Sequence, residues 1–173
     1  MKILIVYSSV WGVSKQCAQM LADMLCDKHE VSVFSIENAP SPAGFDVAVV
    51  GGSVRMGRLN RQLRSYLKNN AEALSGMNTA LFMCCGLSEN FDDYVALQFP
   101  TSVIPSLGIH YFGGELKPEK LHGMDKLFVK IARHSIQTQD FEQSEDNLHD
   151  LPELLPENVA LLADQIKQLA FEE

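Results

Sequence analysis

The sequence predicts an α/β chain: a doubly wound, five-stranded parallel sheet in the order 2-1-3-4-5, with helices on both faces. Three observations predict it. Short apolar runs alternate along the chain with longer amphipathic stretches. The runs at 2–7 and 46–51 are continuous rather than alternating in polarity, which marks strands covered on both faces. Strand–helix alternation of this kind requires parallel strands joined by right-handed crossovers. The 173 residues suffice for one ordinary domain, 1–173, and not for two.

In order along the chain, Lys2 to Tyr7 is the first buried strand, and it stops at Ser8-Ser9. Ser14 to Lys28 reads as a helix, with Cys17, Met20, Leu21, Met24 and Leu25 on one face. Val31, Val33 and Ile36 mark a second strand, and the two prolines and the glycine of 38–44 make a loop. Asp46 to Gly51 is the third strand, Leu59 to Ala73 one long helix, and Thr79 to Cys85 the fourth strand. Gly86 to Leu107, with Pro100 and Pro105, is irregular and long enough to suggest a functional connection. Gly108 to Leu116 is a short fifth strand and Met124 to Gln137 an amphipathic helix. Asp140 to Glu157 holds seven carboxylates and no Lys or Arg, a solvated connector. Glu157 to Phe171 closes the chain as a helix, with Pro156 just before its first turn.

Composition narrows the function. Hydrophobic residues are 46% and charged residues 21%, as in a globular protein. A net charge of −8, from 14 Lys+Arg against 22 Asp+Glu, argues against a general affinity for nucleic acid. MKILIVYSS lacks a cleavage-site pattern, and no apolar stretch approaches the length of a membrane span. Cys17, Cys26, Cys84 and Cys85 form no C-x-x-C pair and read as buried thiols of a reducing cytoplasm; no metal-ligand spacing is present. The five histidines pair with no Ser or Cys nucleophile by any signature, so hydrolase chemistry has no support.

In a sheet of this order, ligands sit beyond the carboxyl ends of the strands at the topological switch point, which directs attention to the loops after strands one, three and four. The first is Ser8-Ser9-Val10-Trp11-Gly12-Val13-Ser14. Hydroxyls and a glycine between a buried strand and a helix start make an anion cradle: backbone amides converge, and the helix end adds partial positive charge. An ordinary turn with Ser14 as helix cap is the plainer alternative. The loop lacks the Gly-Lys-Ser/Thr ending of a nucleotide-triphosphate loop and the three glycines of a dinucleotide fingerprint.

Strand, Ser8-Ser9-x-x-Gly12-x-Ser14, helix resembles the FMN-phosphate loop of the flavodoxin family. Gly51-Gly52-Ser53-Val54-Arg55-Met56-Gly57 resembles its second flavin loop, and Gly52-Ser53-Val54-Arg55-x-Gly57 resembles the menaquinone-dependent protoporphyrinogen oxidase branch. The resemblance implies FMN as cofactor. It places Met56 on the flavin ring and lets the Gly57 peptide turn its carbonyl toward flavin N5, a movement glycine tolerates. It gives the third loop, from Cys85, Gly86 and Leu87 through Asn90 to Tyr94, the pyrimidine edge, with Tyr94 or Phe91 as the aromatic. The usual aromatic of the second loop is absent, and Trp11 reads as a packing residue.

Two basic patches remain. Arg55, Arg58, Arg61 and Arg64 recur every third residue, followed by Lys68, with no acid between. The stripe is either a solvated helix face or a dock for the carboxylates of a substrate or acidic partner. Lys117, Lys120, Lys126, Lys130 and Arg133 surround an apolar face that packs on the sheet or touches a membrane surface. The expectation is an FMN-dependent oxidoreductase that passes electrons from a reduced substrate to a quinone, cytoplasmic or peripheral on the inner face of the cell membrane. A flavodoxin-type electron carrier serving a redox partner protein, and a domain that has lost flavin, are the alternatives.

Overall fold

The computed structural model describes residues 1–55, 57–85, 91–114 and 154–170. Its centre is a parallel sheet of β1 (Lys2–Ser8), β2 (Glu30–Ser35), β3 (Val47–Ser53), β4 (Asn78–Cys84) and β5 (Ile109–Tyr111), in the order β2-β1-β3-β4-β5. The order reverses between β1 and β3, where Tyr7 pairs with Gly51 and Ser8 with Gly52. Ile3, Leu4, Ile5 and Val6 are all fully buried, which accounts for the unbroken apolar run: both faces are covered.

One face carries α1 (Val13–Leu25) and the C-terminal helix α5 (Pro156–Leu169), which share a core of Cys17, Leu21, Leu25, Val159, Leu162 and Ile166 with Ile3, Ile5 and Phe82 beneath. The other face is covered by α2 (Arg61–Asn69), α3 (Ala71–Ser75) and α4 (Phe91–Gln98). There Leu63, Leu67, Leu74 and Phe99 pack over Leu4, Val6, Val50 and Leu81. Successive strand residues point to opposite faces, so β1 feeds both cores by turns.

Several boundaries differ from expectation. The first helix ends at Leu25, not Lys28, because the amides of Lys28 and His29 both close on the Leu25 carbonyl to turn the chain into β2. Ile36 is buried in a 3-10 turn, Ile36–Asn38, not in a strand. The long helix expected over 59–73 is two. Asn70, at φ −112° and ψ 17°, leaves helical geometry, and its backbone and side-chain nitrogens both donate to the Tyr66 carbonyl. It therefore ends α2 and begins α3. The supposedly irregular 86–107 contains α4, whose start is favoured by Asp92 and Asp93 at its positive end. The fifth strand is only Ile109–Tyr111; Gly108 precedes it in a turn at φ 84°, and Gly113 makes an antiparallel bridge to Leu154. Pro156 is itself the first residue of α5, the position where its missing N–H costs nothing. The helix expected over 124–137, its lysines, most of the acidic stretch and Phe171 lie outside the described residues.

Candidate flavin site

Close approach of β3 to its neighbours builds the floor of the site. A Cβ on Gly51 would run into the carbonyl and ring of Phe82, and one on Gly52 into the Ser8 hydroxyl. Only glycine lets the third strand pass there, and Ser8 ends up buried beside the switch point.

From Ser8 the chain leaves the sheet. Ser9 Oγ accepts a hydrogen bond from the Gly12 amide at 3.0 Å, closing the loop on itself. Gly12 is left-handed, φ 97° and ψ −12°, and caps α1 with its carbonyl, which receives the Gln16 amide at 2.9 Å. Nothing lies within 4 Å of a Cβ at Gly12, so glycine is needed there for its φ and not for space. Gly12, not Ser14, is the helix cap, against the plainer sequence alternative.

No side chain caps α1, and no acid stands in its first turn. The amides of Val13, Ser14 and Lys15 therefore form an unneutralised positive end. Ser14 is fully buried in that turn, and its Oγ has no hydrogen-bond partner among the described residues. Behind it, Cys17 and Cys84 bring their sulfurs to 3.7 Å. The Cys17 contact, then burial, pushes the Cys84 thiol up; Ser14 opposes this weakly, short of hydrogen-bond geometry. Val10, 56% exposed, forms the outer lip.

The second loop is a tight hairpin. Val54 extends the sheet by donating to the Cys84 carbonyl, and Arg55 and Arg58 exchange both backbone hydrogen bonds at 2.9 Å around Gly57 at φ 72°. Ser53 and Val54 are half-buried, and Arg55 is exposed. The Arg55 guanidinium lies 5.7 Å from the centre of the half-buried Trp11 ring, tying the first loop to the second by a cation–π contact. Met56 lies outside the described residues.

In the third segment Cys85 is buried, donates to the Gly113 carbonyl and accepts from Tyr111 Oη at 2.9 Å. Burial holds that phenol up at about 12, with Cys85 and Cys84 adding to the shift. Gly86, Leu87 and Asn90 lie outside the described residues. Tyr94, on α4, has a ring carbon 4.0 Å from where a Gly57 Cβ would be, so it belongs beside the second loop. Phe91 is engaged with Tyr111, ring centres 5.3 Å apart.

The arginine stripe is not one helical face. Arg55 and Arg58 belong to the hairpin, Arg61 opens α2, and Arg64 lies half-buried a turn later. Asn60 caps α2, its Oδ1 accepting from the amides of Gln62 at 2.7 Å and Leu63 at 3.4 Å. Two contributors escaped the sequence reading. Tyr111 fixes Cys85 from the end of the fifth strand, a position its place after the apolar run would have indicated. Gln98 is 8% exposed and accepts the Leu59 amide at 3.1 Å, so it holds the exit of the second loop; a polar residue late in an unrecognised helix gave no signal.

Residues 4–144 match the flavodoxin domain family, and the chain belongs to it. Among curated protein sequences none matches. The fold is similar to a flavodoxin of Streptococcus pneumonia TIGR4 (TM-score 0.53, 15% identity, covering 97% of this chain and 99% of that one). It is also similar to the two-electron reduced flavodoxin of Megasphaera elsdenii (0.52, 16%, 76% and 98%). Rubredoxin oxygen:oxidoreductase of Desulfovibrio gigas also matches (0.48, 14%, covering 76% of this chain), and the chain spans 34% of that longer protein. The cofactor this family implies is FMN. The residues fit it: an open helix end, a left-handed glycine and an orphaned buried hydroxyl stand where a phosphate monoester would be held.

Proposed function

We propose that the protein is an FMN-dependent oxidoreductase that takes electrons from a reduced, carboxylate-bearing substrate and passes them to a quinone. The observation that carries the flavin part is the cradle of Ser9, Gly12 and the first-turn amides of α1, which offers donors and partial positive charge with no acid to compete. In this reading the first-turn amides and Ser9 hold the phosphate, and Ser14 adds a hydroxyl at the back. Trp11 and Arg55 fix the distance between phosphate loop and hairpin. Gly57 and Tyr94 bound one edge of the ring site, and the backbone of Cys85, held by Tyr111, bounds another. FMN supplies the electron storage; the chain positions it and excludes water.

The finer assignment, activity like that of menaquinone-dependent protoporphyrinogen oxidases, is supported by the spelling Gly52-Ser53-Val54-Arg55-x-Gly57. It is also supported by Arg55, Arg58 and Arg61 clustering beside the hairpin, where propionate groups would meet them. Quinone use would bring the protein to a bilayer surface from the cytoplasm. No helix among the described residues is long and apolar enough to cross one. The second reading, an electron carrier without its own substrate, is favoured by the net charge of −8, which suits docking on a basic redox partner.

Anaerobic reduction of the FMN-loaded protein, followed by absorbance, separates the two. The oxidase reading expects protoporphyrinogen to reduce the flavin and a quinone to reoxidise it catalytically. Reduction in two well-resolved one-electron steps, with no response to either compound, selects the carrier.

A further inference from the structure

On the face covered by α2 and α4 lies an open-sided cavity of about 360 Å³. Arg64 and Lys68 line it from α2, and Gln98, Phe99, Thr101 and Ser102 line it from the end of α4 and the turn that follows. Among the described residues, the polar side chains on this wall are cationic or can donate hydrogen bonds, and none is acidic. Arg64 and Lys68 lie four residues apart and so share one side of their helix. Neither makes an ion pair among the described residues, and no acid occurs anywhere from 55 to 68. Arg64 also sits near the positive end of α2, where a cation works against the helix dipole.

Gln98 adds geometry. Its Oε1 is committed to the Leu59 amide at 3.1 Å, and the side chain is nearly fully buried. What it has left to offer is its NH₂ group, a donor. Phe99, buried beneath, supplies an apolar floor. Two cations without an ion pair among the described residues, an anchored amide and two hydroxyls around a concavity of small-ligand size match one chemistry.

We propose that this cavity is a second ligand site, one that takes the oxyanion, phosphoryl or carboxylate, of a small molecule. It is separate from the flavin cradle and does not depend on the flavin assignment. The cradle works through backbone amides at a helix end, and this site works through side-chain cations.

The test is an amide NMR titration of the full chain, with FMN added, using inorganic phosphate in one arm and succinate in the other. Saturable shifts are expected at residues 64–68 and 98–102 in at least one arm, and which arm saturates identifies the oxyanion. Arg64→Gln/Lys68→Gln should weaken that binding by about tenfold or more, as loss of charge-assisted bonds requires. FMN affinity should stay unchanged. The single Lys68→Gln, at an exposed position, serves if the double variant folds poorly, and should weaken binding severalfold. Three results overturn the proposal: no saturation in either arm, saturation undiminished in the variants, or shifts confined to 13–15. Loss of stability in the variants without any anion dependence would also overturn it, showing that the cations serve only the carbonyl end of α4. Failure to bind FMN would leave these readouts intact and would count against the flavin assignment alone.

Discussion

As proposed above, the loop at Ser8–Ser14 and the cavity between α2 and α4 would be two ways of meeting an anion on one chain. The first is made of neutral donors: amides freed by a left-handed glycine, with hydroxyls beside them. The second is made of full charges on flexible stems, Arg64 and Lys68, with the anchored Gln98 amide on the same wall. The difference teaches what each can be sensitive to. A cradle of fixed dipoles depends on backbone geometry to within a fraction of an ångström and little on salt. A pair of partly exposed cations tolerates small shifts but is screened as the Debye length contracts from about 10 Å at 0.1 M salt to about 3 Å at 1 M.

Geometry is therefore where the cradle breaks first. Gly52→Ala forces a methyl group into the Ser8 hydroxyl and should cost about 2–3 kcal/mol in urea denaturation, with FMN affinity falling in parallel. The α2–α4 cavity should keep its anion affinity in the folded fraction. Gly12→Ala meets no atom but must hold a positive φ, so the expected loss is about 1–2 kcal/mol. Its FMN dissociation constant, by fluorescence quenching, should rise about tenfold.

Salt sharpens the contrast. Between low and near-molar NaCl, phosphate binding at Arg64 and Lys68 should weaken severalfold more than FMN binding does, measured by the same titrations. Ser14→Ala should separate binding from stability. Removing a buried hydroxyl without a partner should raise the stability of the apoprotein by about 1 kcal/mol while weakening FMN binding.

A further effect is expected at alkaline pH. Tyr66 and Tyr111 are both held up at about 12 by burial, against 10 in the unfolded chain. The folded state thus keeps protons that the unfolded state loses, and stability should fall as pH rises from 10 toward 12. Tyr66→Phe gives up the bond from its hydroxyl to the Pro40 carbonyl, about 1 kcal/mol at neutral pH, but should flatten that alkaline decline.

The sheet was legible because its signal is local. Ile3 to Val6 and Val47 to Val50 are buried on both faces and so are written as unbroken apolar runs. The place of the turn after β1 was legible because a strand, a hydroxyl-rich turn and a helix follow one another in sequence. The misreadings arose where distant contacts decide. Asn70 splits a helix that periodicity alone would continue, because its bonds to Tyr66 end one helix and its position starts another. The spacing of Arg55, Arg58, Arg61 and Arg64 imitates a helix face although the first two form a hairpin. α4 was hidden because its apolar face is short, and its role emerges only when Gln98 meets Leu59 and Tyr94 approaches Gly57.

The central claim is that the turn after β1 grips a phosphate. Calorimetric titration of folded apoprotein with FMN and, separately, with riboflavin tests it most directly, because the two ligands differ only in that group. Saturable uptake of FMN, with riboflavin bound at least about a hundredfold more weakly, is the predicted result. Equal affinity for the two, or no saturable uptake of FMN, would contradict it.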